Sequence, residues 1–328
     1  MDYKLSAKEY VILASMLFGL FFGAGNLIFP VYMGQQAGAN LWPAIVGLCL
    51  TGVGLPLLGV AAMGLSQSEG CFDMGRRVGR GYSYFFTCAL YLSIGPLFAI
   101  PRTATVSFSV GILPLLPREH ETLALCVFSA LFFVVVLYFS LRPSGILTWV
   151  GKILNPLFLL FLGILLAAAL LNPMGDPAAL EPTGAYGGQT GFQSFFQGFL
   201  GGYNTMDTIA ALNFGAIIAL NIRSRGVTEE RRVVRGTVRA GWIAGAVLLA
   251  VYAMLAHVGA LSGAAFPGAA NGAQVLTRLA DALFGPPGSV LLAAIFLIAC
   301  LNTCIGLLSS CRDYFHRVLS RLSYRGWV

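Results

Sequence analysis

The chain has 328 residues, 57% of them hydrophobic and only 10% charged, with a formal net charge of +7 at pH 7. Soluble domains carry about 25% charged residues, and a mean hydropathy of +0.80 excludes a water-soluble core as the source of so many long apolar runs. The composition implies an all-α polytopic membrane protein, whose basic excess faces anionic lipid headgroups and not nucleic acid.

In chain order, apolar runs of membrane-crossing length occupy residues 9–36, 41–66, 82–116, 121–141, 148–171, 192–221, 238–262 and 286–311, which predicts about eight transmembrane helices. The first is too long for the apolar region of a signal peptide, and no small-residue cleavage pattern follows it. At its middle lies Phe21-Phe22-Gly23-Ala24-Gly25-Asn26-Leu27-Ile28-Phe29-Pro30. A bilayer interior offers no water to backbone groups, so a helix breaks there only where freed N–H and C=O groups meet protein, water or a bound solute. Gly23 and Gly25 let the backbone unwind and approach a solute closely. Unwinding leaves one half-helix end with free carbonyls, suited to Na⁺ or an ammonium, and one with free N–H groups, suited to a carboxylate. One broken helix thus recognises both ends of an amino acid zwitterion, and Asn26 adds a side-chain carbonyl at the same level.

The third run is too long for one straight span, and Pro96 and Pro101 predict a kink or strong tilt. After the fifth run, the polar, Gly- and Pro-rich stretch 172–191 is the one internal boundary. The chain reads as a single integral membrane domain, with 1–171 as a first five-helix unit and 192–318 as a partial second unit. Because five is odd, the second unit starts from the opposite face and any repeat is inverted. The sixth run carries a second break, Gly201-Gly202-Tyr203-Asn204-Thr205, followed closely by Asp207. A carboxylate inside a span is costly and marks a functional candidate. Asp207 could face the aqueous path, bind a coupling ion, or accept hydrogen bonds that hold the unwound segment. In loop 222–239, Thr228 is placed to cap a short helix. In the outer loop 262–285, residues 273–280 predict a helix lying across the vestibule. The eighth run places Asn302 beside Thr303, two neutral oxygen-bearing side chains of the kind a hard monovalent cation takes.

If the N-terminus is cytoplasmic, 17 of the 20 basic residues fall on that side. Only Arg118 and Arg278 lie opposite, with Arg102 inside the third run. The positive-inside rule then predicts both termini in the cytoplasm. The seven cysteines lie almost all in apolar runs without metal-site company, and His120, His257 and His316 are isolated. No nucleotide-binding glycine loop, HExxH pair or nucleophile–base pair occurs, so neither an enzyme nor a cofactor is expected.

The motifs Phe22-Gly23-Ala24-Gly25-Asn26-Leu27-Ile28-Phe29-Pro30, Gly202-Tyr203-Asn204-Thr205-Met206-Asp207 and Leu301-Asn302-Thr303-Cys304-Ile305-Gly306-Leu307 together resemble those of bacterial branched-chain amino acid carriers. These are cation-coupled symporters with a leucine-transporter-like fold of two inverted five-helix units, whose first and sixth helices are broken. The resemblance implies import of leucine, isoleucine and valine by symport with Na⁺ across a bacterial inner membrane. It implies substrate contacts at Ala24, Gly25 and Asn26, with Gly23 beside them, and at Tyr203, Asn204 and Thr205, with Gly202 beside those. It also implies a Na⁺ site from the carbonyls of Gly19, Phe22 and Ala299 and the side chains of Asn302 and Thr303, although the family more usually has a hydroxyl at the Asn302 position. Family members usually have twelve helices, so the reading includes a C-terminally truncated member with an incomplete second unit. Two alternatives follow from the same residues: a non-transporting amino-acid-binding or sensor remnant, and an H⁺-coupled symporter using Asp207.

Overall fold

The computed structural model describes residues 5–66, 68, 70–117, 120–141 and 149–318. The expected basic tail with Arg321 and Arg325, and the basic residues Lys4, Arg118 and Arg142, lie outside them. Among the described residues every regular element is helical.

Helix α1 (Ala7–Phe21) starts at a capping box, in which the Glu9 N–H donates to Ser6 Oγ and Glu9 Oε2 accepts from the Ser6 N–H at 2.9 Å. It stops where Phe22 and Gly23 turn to extended backbone, and α2 (Ala24–Ala37) begins at once. Gly38, at φ 48°, ends α2. The chain then runs through α3 (Leu41–Cys49) and a π turn at Leu50–Gly54 into α4 (Leu55–Ser66). Helix α5 (Cys71–Arg76) is short, and α6 (Arg80–Leu92) and α7 (Ala99–Gly111) form the kinked third run. The kink falls at Gly95 (φ −91°, ψ −123°) beside Pro96, whereas Pro101 sits in the first turn of α7, where its missing N–H costs nothing. Helices α8 (Glu121–Ser140) and α9 (Asn155–Leu171) complete the first half.

Helices α10 (Gly191–Tyr203) and α11 (Asp207–Arg223) are the sixth run, bent by 47° at the second break. Helix α12 (Glu230–Ser262) is longer than its apolar run, because the stretch expected to form a separate helix capped by Thr228 is absorbed into its first turns, with Glu229 at the cap. The predicted outer helix is present as α13 (Gly272–Phe284), capped by the Asn271 side chain. Helix α14 (Pro286–Val318) continues past the apolar run.

Among the described residues, six helical segments are long and apolar enough to cross a membrane, or seven with the bent pair, against the eight expected. The difference lies in the first run: its break leaves α1 with 15 residues, too short to span alone, and joins α2 to the following helices as a 43-residue path, Ala24–Ser66.

Two crossings fix the frame. Helix α2 lies on α12 and α3 lies on α10. At the first, Gly34 abuts the Ala256 carbonyl while Gly259 abuts that of Val31; at the second, Gly47 meets the Phe195 carbonyl and Gly198 that of Ala44. Membrane helices lack a hydrophobic drive to associate, so backbone contact at small residues supplies the packing. These crossings hold α2, α10 and α12 so that both breaks face one centre.

Candidate functional site

The Gly23 N–H, which a continuous helix would give to the Gly19 carbonyl, donates instead to Asn26 Oδ1 at 2.9 Å. Asn26 then spends its amide nitrogen on the second break. Its Nδ2 donates to Asp207 Oδ2 at 2.6 Å and to the Tyr252 hydroxyl. That hydroxyl donates to the same carboxylate oxygen at 2.8 Å, and the Thr205 hydroxyl stands 3.0 Å from it. One carboxylate oxygen thus ties together α2, the α10–α11 joint and α12. Asn26 is 2% exposed, Asp207 4% and Tyr252 0%. Charge-assisted hydrogen bonds from neutral donors are what make a buried carboxylate tolerable. Asp207 opens α11, where the helix N-terminus also favours negative charge. It is aimed there by Met206, whose φ of 66° is the one positive non-glycine value among the described residues. Holding a side-chain-bearing residue in that region costs about 1–2 kcal/mol. An aromatic wall seals the far side: the Phe22 ring lies 5.1 Å from those of Phe18 and Phe158 and 6.1 Å from that of Tyr252.

Beside this junction is a cavity of about 70 Å³, room for roughly five water molecules. Its polar lining comes from Asn26, Arg102, Thr103, Thr205, Asp207 and Thr303; its apolar lining includes Leu20, Ile94, Ala210, Phe214 and Leu307. A larger groove of about 750 Å³, flanked by the exposed Trp42 and Trp242, is almost wholly apolar. Of these two, the smaller cavity combines an apolar wall with convergent polar groups, as binding sites do.

The residues expected to bind substrate are divided by the structure. Gly23, Ala24, Gly25, Asn26 and Thr205 line the cavity. Gly202 is buried against the Leu48 carbonyl and Thr51, so it serves the α3–α10 contact. Tyr203 and Asn204, at the end of α10, are exposed and outside the cavity lining. Of the three roles left open for Asp207, the hydrogen bonds across the two breaks are realised.

The expected ion ligands are brought together on facing helices. Gly19 in α1, Phe22 at its end and Ala299 in α14 are buried, and α1 and α14 pack together, although Gly19 itself faces Val150 and Asn155 and the Phe22 ring faces Phe158 and Tyr252. Both amide atoms of Asn302 and the Thr303 hydroxyl are buried without a hydrogen-bond partner. Thr303 Oγ1 would stand 3.1 Å from a Cβ placed on Gly23, so it abuts the first break. Buried polar atoms are rarely left unpaired, and each such group calls for an explanation, a water or an ion among them. No group of three or more His, Cys, Asp and Glu side chains forms a metal cluster among the described residues.

Tyr252 was missed in the sequence. Its one signal is a phenol amid Ala and Leu near the middle of the seventh run, where a hydroxyl needs a partner.

A sequence profile described as "Branched-chain amino acid transport protein" matches residues 6–328. The chain belongs to that family. Relatives of this transport family include a branched-chain amino acid permease, BrnQ, of Lactobacillus delbrueckii subsp. lactis, 46% identical over 330 residues. The permease BraB of Bacillus subtilis is 43% identical, and the branched-chain amino acid transport system 3 carrier protein of Pseudomonas aeruginosa 44%. The alignments cover 99–100% of this chain and 72–73% of those relatives. A solved structure, MhsT in complex with L-phenylalanine, matches with a TM-score of 0.58 at 18% identity, over 100% of this chain and 77% of that one. The family member described here therefore has the leucine-transporter-like all-helical fold that the resemblance implied, with its first and sixth helices broken. It is a transport protein and not an enzyme.

Proposed function

We propose that the protein imports branched-chain amino acids across a bacterial cytoplasmic membrane by symport with Na⁺. The observation that carries the reading is the pairing of a cavity lined by both helix breaks with an unpartnered hydroxyl, that of Thr303, beside the first of them. Relatives named as permeases and carriers for these amino acids support the substrate class. The apolar walls, Leu20, Ile94, Phe214 and Leu307, suit an aliphatic side chain.

Na⁺, as transported cargo, fits the oxygens at the α1–α14 contact. A hard monovalent cation takes neutral oxygens, and Asn302 Oδ1 and Thr303 Oγ1 have no other partner. The Gly19 carbonyl loses its helical donor when the Gly23 N–H turns to Asn26. Binding the ion ties α1 to α14 and organises the adjacent backbone for the zwitterion. Residues 1–171 and 192–318 then act as inverted units, and rocking of the broken-helix elements against α7, α8 and α14 exposes the cavity to either side in turn. Both termini are assigned to the cytoplasm by the basic-residue asymmetry.

A second reading, proton coupling, draws on one observation: Asp207 is a buried carboxylate at the junction of both breaks. Uptake of labelled leucine into proteoliposomes under an inward Na⁺ gradient, or under a pH gradient alone, separates the two. The Na⁺ reading expects accumulation only with Na⁺, with Asn302→Ala/Thr303→Ala raising the Na⁺ concentration needed by tenfold or more. Accumulation driven by pH alone, with that double variant unaffected and Asp207→Asn inactive, would replace Na⁺ by H⁺. Leucine binding without accumulation under either gradient would support a sensor.

A further inference from the structure

Arg102 lies in α7, inside an apolar run, and its guanidinium borders the cavity. An arginine at membrane depth normally pairs with a carboxylate or backbone carbonyls, or lines a solute path. Among the described residues it has no carboxylate within ion-pair distance. Two aromatic rings hold it instead: its Cζ stands 5.5 Å from the centre of Phe29 and 6.0 Å from that of Phe98. The cation sits over both ring faces, and no N–H of its fork is taken by a hydrogen bond among the described residues. That fork is beside the first break, since a Cβ on Gly25 would meet Arg102 Nη2 at 3.6 Å. The acidic group of the cavity, Asp207, is already bound to Asn26, Tyr252 and Thr205. The cavity lining therefore holds a cationic fork, a carboxylate and apolar side chains.

We infer that Arg102 is a substrate-binding residue that takes the α-carboxylate of the transported amino acid, and so fixes the orientation of the zwitterion. This assignment rests on the cavity being the amino acid site. The carboxylate sits between the guanidinium and the opening of α2. The α-ammonium turns toward the carbonyl end of α1 and Asp207, which leaves the branched side chain on Ile94, Phe214 and Leu307. A planar fork matches a carboxylate in two parallel hydrogen bonds, which a lysine ammonium does not reproduce.

The test compares L-leucine with L-leucinamide, which keeps the ammonium and side chain and loses the carboxylate charge. Equilibrium binding of both labelled compounds is measured on the purified full chain in nanodiscs. The wild type is expected to prefer leucine. Arg102→Gln should weaken leucine about 10- to 100-fold, the range of a charge-assisted bond, while leucinamide changes less than about threefold on the same scale. Arg102→Lys should recover part of the leucine affinity. Should Arg102→Gln fail to fold, Arg102→Lys carries the comparison, with the preference for leucine narrowed. Unchanged leucine affinity in the variants, or equal losses for both compounds, would overturn the assignment and leave Arg102 a structural residue. Failure of the wild type to bind leucine at all would remove the amino acid reading itself, and this assignment with it.

Discussion

Asp207 Oδ2 is where the two breaks are joined, and single atoms decide whether that junction holds. Tyr252→Phe removes one donor but keeps the ring against Phe22. The change should lower stability by about 1–2 kcal/mol, read as an earlier midpoint in detergent unfolding, and an unchanged midpoint would show that the hydroxyl carries no weight. The glycines, Asn26 and Asp207 were legible as chemistry because a bilayer makes polar and flexible groups conspicuous. Their partnership was not, since Asn26 and Asp207 are 181 positions apart and Asn26 and Tyr252 are 226 apart. Tyr203 and Asn204 show the opposite case. They stand in the right motif, yet both are exposed and neither lines the cavity.

Helix pairs in this molecule meet where glycine lets backbones touch. Gly259→Ala would drive a methyl group into the Val31 carbonyl and force α2 from α12, which should cost about 1–3 kcal/mol. Because α2 carries Asn26, leucine uptake should fall along with the unfolding midpoint. Gly163→Ala, on the exposed face of α9 with nothing within 4 Å of the new atom, should leave both unchanged. Equal effects of the two substitutions would refute the close-approach account. Element existence was easily read, since apolar runs of membrane length can only be helices. Element ends were not. Helices α12 and α14 run beyond their apolar stretches, because a helix in water needs only caps and favourable side chains to continue, and hydropathy does not record those.

Charge orders the whole molecule. If Lys and Arg set the topology, a protease site inserted at Gly188, in the stretch between α9 and α10, is cut from outside in intact spheroplasts. One inserted at Ser224, in the α11–α12 loop, is cut only in inverted vesicles. The reverse pattern would invert the assigned orientation. On the Ser224 side, Arg225 pairs with Glu9 at 2.5 Å and so clips the start of α1 to the end of α11. The two broken helices are thereby linked at their far ends as well as at Asp207, an arrangement suited to moving as one body.

The sequence alone determined that the chain is a helical membrane protein, where its helices break, and that its basic residues gather outside the apolar runs. Each of these follows from local interaction with a fixed solvent: the bilayer demands internal backbone pairing, glycine relaxes it, and charge avoids the apolar layer. Tertiary structure decided which polar groups find one another. It brought Tyr252 from α12 to the junction of the breaks and set Arg102 against two aromatic rings at the cavity edge. It also left Asn302 and Thr303 unpartnered, Thr303 beside the Gly23 break. Those outcomes depend on crossings between helices far apart in the chain, whose angle and depth are fixed by backbone contact at Gly34, Gly259, Gly47 and Gly198 and have no local signature.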